Sequence, residues 1–296
     1  MKQFTGSGVA LVTPFKADFT IDLPALRKLV REQINGGTDF LVVQGTTGES
    51  PTLSAAEKQV VLETVLDENN GQLPIVYGVG GNNTLAVCEA FAKIPAGVDG
   101  ILSVAPYYNK PIQRGFVAHY KALADSTDLP IIMYNVPGRT GSNMLAETTL
   151  ELAEIPNIVA MKEASGNMEQ IMEIIRSKPQ DFLLLSGDDA ITLPLIAAGA
   201  NGVISVVANA FPRLFSTMVH TALDGDFAAS RKAHYELLPV TKLFFAEGNP
   251  GGVKIALEEN GWMEPHMRLP LVQVSEGLRN AIIKETKAIN AKTLVK

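Results

Sequence analysis

Eight short runs without a charged residue, at 8–13, 40–43, 74–77, 100–104, 130–134, 158–161, 182–185 and 202–206, are spread through roughly the first 225 residues of this 296-residue chain. Such a run marks a strand buried on both faces. Helical patterns lie between the runs, so the strands are parallel, and eight such units predict a closed (β/α)8 barrel. A doubly wound open sheet is the competing arrangement. It is weaker because Gly78-Val79-Gly80 is followed by Asn83 where a dinucleotide fingerprint wants glycine. The helices carry their own signals. Asp22 opens the pattern Leu23, Leu26, Leu29, Val30, Ile34, which stops at Gly36-Gly37. Ser54 and Glu57 have capping-box spacing. From about Gly225 the pattern is helical only, punctuated by Pro239, Pro250, Pro265 and Pro270. The expected division is a barrel carrying the active site over 1–224 and a small C-terminal helical domain over 225–296.

Composition narrows the function classes. A chain that is 46% hydrophobic and 19% charged can bury a sizeable core. A net charge of -6 without a basic run argues against nucleic acid. Residues 1–8 have no apolar stretch, so no signal peptide is expected. The uncharged stretch 190–212 could pass for a membrane span. Pro194, Gly199, Asn201, Gly202 and Asn209 interrupt it, and a buried helix-turn-strand explains it better. The single Cys88 excludes an internal disulfide, fits a reducing cytoplasm, and sits in an apolar helical pattern that suits a small core residue. The four histidines show no zinc spacing and receive no role.

The sixth run leads straight into Lys162. Burying an ammonium costs several kcal/mol unless it is paired or loses its proton, and the neutral amine is a nucleophile. Lys162 is therefore a candidate Schiff-base lysine. The alternative is a lysine that snorkels outward and pairs with Glu163 or another acid. Barrel enzymes collect their catalytic groups where strands end. That rule gathers Thr46, Thr47, Tyr108, Tyr134, Lys162, Gly187 and Ile204 around one mouth, with Arg139 on the fifth loop. The Gly45-Thr46-Thr47-Gly48-Glu49-Ser50 turn offers hydroxyls and N–H groups to a small carboxylate, or is an ordinary capped turn. Tyr134 could shuttle protons beside an imine or bond only to backbone. Tyr107-Tyr108, between Pro106 and Pro111, forms a stiff aromatic loop for the site or for an interface. Arg139 suits bidentate capture of a carboxylate, against a surface ion pair. Asp188-Asp189 invites a metal reading, but capping of the next helix is the better one.

The motifs at 45–50 (G-T-T-G-E-S), 106–111 (P-Y-Y-N-K-P), 134–140 (Y-N-V-P-G-R-T), 162–167 (K-E-A-S-G-N) and 186–189 (S-G-D-D) resemble the 4-hydroxy-tetrahydrodipicolinate synthase (dihydrodipicolinate synthase) family over nearly the whole chain. The resemblance implies a lyase of lysine and diaminopimelate synthesis that joins pyruvate to L-aspartate 4-semialdehyde. Lys162 would carry the imine. Tyr134, Thr46 and Tyr108 would relay protons, with Tyr108 supplied by a neighbouring subunit. Thr46 and Thr47 would hold the pyruvate carboxylate, Arg139 the semialdehyde carboxylate, and the Gly187 and Ile204 carbonyls would line the pocket. It further implies a homotetramer of two dimers and no metal or organic cofactor. Gly252, where the family often has proline, is the departure noted. Many members are inhibited by lysine bound at a dimer-interface cleft. Of that cleft this chain keeps Ser50, Asn82 and Tyr107, but it has Ala55 and Lys58 for histidines and Ala86 for a glutamate, so weak inhibition is expected unless Glu89 substitutes. A keto-sugar-acid aldolase and a non-catalytic sensor barrel are the competing functions.

Overall fold

The computed structural model describes residues 2–293, so Met1 and residues 294–296, the ends of the expected division, lie outside the described residues. The order is β1 (Gly6–Ala10), α1 (Leu23–Asn35), β2 (Phe40–Val43), α2 (Ala55–Asn69), β3 (Ile75–Gly78), α3 (Thr84–Phe91), β4 (Gly100–Val104), α4 (Gln113–Ala124), β5 (Ile131–Asn135), a one-turn α5 (Pro137–Thr140), α6 (Ala146–Ala153), β6 (Ile158–Glu163), α7 (Met168–Ser177), β7 (Leu183–Ser186), α8 (Thr192–Ala197), β8 (Gly202–Ser205) and α9 (Pro212–Leu223). All eight strands pair in parallel and β8 returns to β1, closing the barrel. Closure brings backbones together: a Cβ on Gly202 would lie 2.1 Å from the Gly6 carbonyl oxygen, so only glycine fits there.

All strands but β1 lie within two residues of the uncharged runs. The largest difference is β1, which leaves the sheet after Ala10 rather than at residue 13. Beyond it the Asn209 side chain takes over the ladder's role, accepting from the Val12 N–H at 3.1 Å and donating to the Ala10 carbonyl at 2.8 Å. Alternation along the strands explains both layers of core. Phe40, Val42, Val76, Ile132, Ala160, Leu185 and Ile204 fill the barrel, while Leu41, Ile101, Ile131 and Leu184 pack against the helices. The capping box at Ser54 forms, its hydroxyl accepting from the Glu57 N–H at 3.2 Å.

After residue 225 come α10 (Phe227–Phe245), α11 (Gly251–Glu259) and α12 (Glu276–Thr293). Pro239 does not punctuate this region: α10 runs through it. The carbonyl that Pro239 leaves without a helical partner is that of Tyr235, which is exposed and can be hydrated. Val240, Phe244, Val253 and Ile255 join the cluster that holds Val9 and Leu41 of the barrel wall, so these helices share the barrel's core. At Gly252 a Cβ would lie 2.6 Å from the Phe244 Cα, so α11 is pressed directly on α10. Among the described residues no helix is long and apolar enough to cross a membrane.

Candidate active site

The pairing of β5 with β6 slips by one residue, Ile131 opposing Ile158 and Ile132 opposing Ala160. The slip matters because side chains alternate with period two. It sets Lys162 beside Tyr134, both turned to the barrel interior, where an unbroken register would have set Met161 there. The Lys162 amine lies 4.3 Å from the centre of the Tyr134 ring. Among the described residues it has no hydrogen-bond partner. Burial pushes its pKa down from 10.5 to about 8, Asp189 opposing the shift and Arg139 adding to it. Glu163, the partner that a snorkelling lysine would have used, points the other way. Its carboxylate accepts from the Asn135 side chain at 3.0 Å, the Gln170 side chain at 3.2 Å and the Ser165 N–H at 2.6 Å. A buried amine with an apolar lining and no carboxylate in contact is what a carbonyl nucleophile requires.

Around this amine the strand ends contribute in turn. Burial raises the Tyr134 hydroxyl, with Arg139 and a hydrogen bond from Thr46 working against it. Thr46, Tyr134 and Arg139 line one cavity of about 670 Å³. Arg139 sits on the one-turn α5 rather than in a loop, is exposed, and makes no ion pair among the described residues, so its guanidinium is open to an anion. Thr47 is buried beneath the turn and its hydroxyl accepts from the Asn249 side chain at 2.9 Å. Gly187 donates its N–H to the Glu163 carbonyl at 2.8 Å. A Cβ there would sit 3.2 Å from the Lys162 Cε, so glycine leaves the lysine stem its space. Ile204 is buried against the same interior cluster as Tyr134. Tyr108 is not brought in: it is 87% exposed, in a left-handed conformation (φ 71), and it is Tyr107 that lines the cavity.

Residues 3–289 match the profile of the Dihydrodipicolinate synthetase family. The chain belongs to this family. The 4-hydroxy-tetrahydrodipicolinate synthase of Flavobacterium psychrophilum is 49% identical over 296 residues, covering 98% of this chain and 100% of its own. That of Parabacteroides distasonis is 52% identical over 289 residues, covering 94% and 97%. The crystal structure of dihydrodipicolinate synthase from Aquifex aeolicus superposes with a TM-score of 0.93 at 43% identity, covering 97% of this chain and 98% of that one.

Two features of this synthase-family site escape sequence reading. The first is a clasp from the C-terminal helices on the Gly45–Ser50 turn. The buried Lys254 amine donates to the Glu49 carboxylate at 2.5 Å, the Thr13 carbonyl at 2.9 Å and the His266 carbonyl at 2.7 Å. These partners lie more than 200 residues apart for Thr13 and Glu49, so no local pattern announces them. The second is Asp189. Asp188 does cap the next turn, accepting from the Ala190 N–H at 2.9 Å. Asp189 turns instead to β8, accepting from the Ser205 hydroxyl and from the Val206 N–H at 3.1 Å. Burial raises its carboxyl from 3.8 to about 6, against those two bonds. A doubled aspartate was the only trace of it in the chain.

Proposed function

We propose that the chain condenses pyruvate with L-aspartate 4-semialdehyde through an imine on Lys162, the activity of a 4-hydroxy-tetrahydrodipicolinate synthase. The observation that carries this reading is the unpartnered, desolvated Lys162 amine on the Tyr134 ring. The amine adds to the pyruvate ketone and water leaves, giving a protonated imine. That cation draws electrons, a methyl proton departs, and the enamine attacks the aldehyde carbon. The amine of the second substrate then closes the ring and displaces Lys162. Thr46 and Thr47 bind the pyruvate carboxylate. Tyr134, with Thr46 and the Tyr108 of a neighbouring subunit, carries protons, and the Gly187 and Ile204 carbonyls line the pocket. Arg139 takes the semialdehyde carboxylate, a polar specificity that a sugar-acid acceptor would not need.

The exposed Tyr107 and Tyr108 side chains on one Pro-flanked loop support assembly, an aromatic pair suited to the surface of a neighbouring subunit. We infer at least a dimer and, by family likeness, a tetramer of two dimers working in the cytoplasm, which the free thiol of Cys88 suits. Ser50, Ala55, Lys58 and Tyr107 line the same cavity, and the Asn82 side chain donates to the Tyr107 carbonyl at 3.1 Å. With Lys58 in place and no carboxylate at Ala86, a cationic inhibitor meets a like charge, so L-lysine inhibition falls in the several-millimolar range or is absent.

The test is reduction with borohydride in the presence of pyruvate, followed by peptide mapping. A single reduced pyruvyl group on Lys162 is expected. Label elsewhere, or none, would overturn the reading.

A further inference from the structure

Glu163 follows Lys162 on β6, faces away from it, and is fully buried. The reaction as written does not use it. A carboxylate accepts at both oxygens, and here every donor is a neutral group. The Asn135 and Gln170 side chains give to Oε2 at 3.0 and 3.2 Å, and the Ser165 N–H gives to Oε1 at 2.6 Å. The same two amides reach onward to one short segment. Asn135 donates to the Asn143 Oδ1 at 2.8 Å and accepts from the Met144 N–H at 3.1 Å. Gln170, on α7, donates to the Met144 carbonyl at 3.1 Å and accepts from the Asn143 side chain at 2.8 Å. Gln113, on α4, also holds this segment, donating to the Asn143 carbonyl at 2.8 Å and accepting from the Leu145 N–H at 3.1 Å.

Asn135 and Asn143 are the two ends of one loop, and their side chains close it directly. Residues 136–142 lie between them and include α5, which carries Arg139. A single helical turn has little stability of its own. Here its end is capped by the Gly141 N–H on the Pro137 carbonyl at 2.9 Å, and the buried Thr140 hydroxyl donates to the Ser142 carbonyl at 2.8 Å. With both ends pinned and the interior bonded, the backbone of Arg139 has one place to be. The guanidinium makes no ion pair among the described residues, so its position follows that backbone. The residue beside Lys162 thus anchors the loop that carries Arg139.

We propose that Glu163, through Asn135, Gln170 and Asn143, sets where Arg139 stands relative to Lys162. These four are positioning residues that act through Arg139. The proposal rests on the reading of Arg139 as the partner of the semialdehyde carboxylate. Condensation joins an enamine fixed on Lys162 to an aldehyde carbon whose far end is held at Arg139. An error in that spacing is felt directly in the bond-forming step.

The test is a double-mutant cycle on semialdehyde kinetics, with borohydride trapping of pyruvate measured alongside. Gln170→Leu keeps the bulk of the side chain and removes its hydrogen bonds. It should lower kcat/KM for the semialdehyde about tenfold, mostly through KM, with half-maximal pyruvate trapping shifted by less than about twofold. In an Arg139→Ala background the same substitution should cost less than about twofold, because the group it positions is gone. Asn143→Ala should behave alike, and carries the test if Gln170→Leu does not fold. Amide hydrogen exchange gives a readout independent of turnover: residues 139–141 should exchange faster in either variant. Losses that multiply across the cycle, an equal loss for pyruvate and semialdehyde, or unchanged exchange in a folded variant overturn the proposal. If Arg139→Ala leaves semialdehyde kinetics unchanged, or wild type does not turn the semialdehyde over, the reading of Arg139 fails, while the exchange rates still report whether the clamp holds its loop.

Discussion

Two lysines lie buried in this molecule and illustrate how one residue type becomes a strut or a nucleophile. Lys254, on α11, is fully buried and its three N–H donors meet three oxygens, with the ring of Phe15 4.6 Å away. An amine with three acceptors is an ammonium, since the neutral form has only two hydrogens to donate. Lys162, on β6, is also buried but meets a ring face, with no carboxylate in contact. Burial lowers both pKa values to about 8. The difference lies in what opposes it. Glu49 in contact holds Lys254 charged, while nothing in contact does so for Lys162. Depth sets the penalty on charge, and partners decide whether the residue accepts that penalty or gives up its proton.

Replacing Lys162 with Ala should sharpen the contrast most. The fold should survive, while steady-state turnover falls by about 10⁴-fold or more, the scale seen when a covalent nucleophile is lost. Arg at this position should not restore activity, because a guanidinium stays charged.

Lys254→Met should do the reverse. It strands the Glu49 carboxylate and should cost about 3–5 kcal/mol in chemical denaturation, with pyruvate trapping on Lys162 retained in the folded fraction. Adding Glu49→Gln should recover part of the loss. Equal stability of Lys254→Met and wild type would break the comparison.

The third expectation concerns pH. Lys162 has a folded-state pKa of about 8 against an ordinary 10.5, so the unfolded chain binds its proton more tightly. Its charging penalty on the fold is complete below about pH 8 and gone above about pH 10.5. Lys162→Met should therefore be more stable than wild type by about 3 kcal/mol at pH 7, with the gap closing as pH rises through that window. Urea unfolding at several pH values checks it; a gap that widens with pH would show that the fold raises the Lys162 pKa rather than lowering it.

The smallest effect is expected at Arg139. Arg139→Ala should raise the KM for the semialdehyde and lower turnover, together about tenfold to a hundredfold in kcat/KM, the worth of one charge-assisted contact of about 1.5–3 kcal/mol. Pyruvate trapping should persist, and unchanged semialdehyde kinetics would remove Arg139 from the site.

The chain alone determines the barrel, because a doubly buried parallel strand has to be uncharged and apolar, and eight such runs are plain to see. It also marks Lys162 and Tyr134, since a lysine or a tyrosine hydroxyl at the end of an apolar run demands an explanation. Arg139 stands out in the same way, as a guanidinium in a Pro-Gly segment with no acid nearby. Tertiary structure alone decided the rest. The one-residue slip between β5 and β6 set Lys162 beside Tyr134, and a slip is a property of two strands in contact, invisible in either. Strand alternation turns Glu163 away from Lys162, and the register decides which of the two faces the barrel interior. The fold brought Lys254 and Asn249 back across more than 200 residues to hold Glu49 and Thr47. It also separated two adjacent aspartates, one into a cap and one toward Ser205. Burial, register and long-range charge belong to the closed barrel, where distance in space no longer follows distance along the chain.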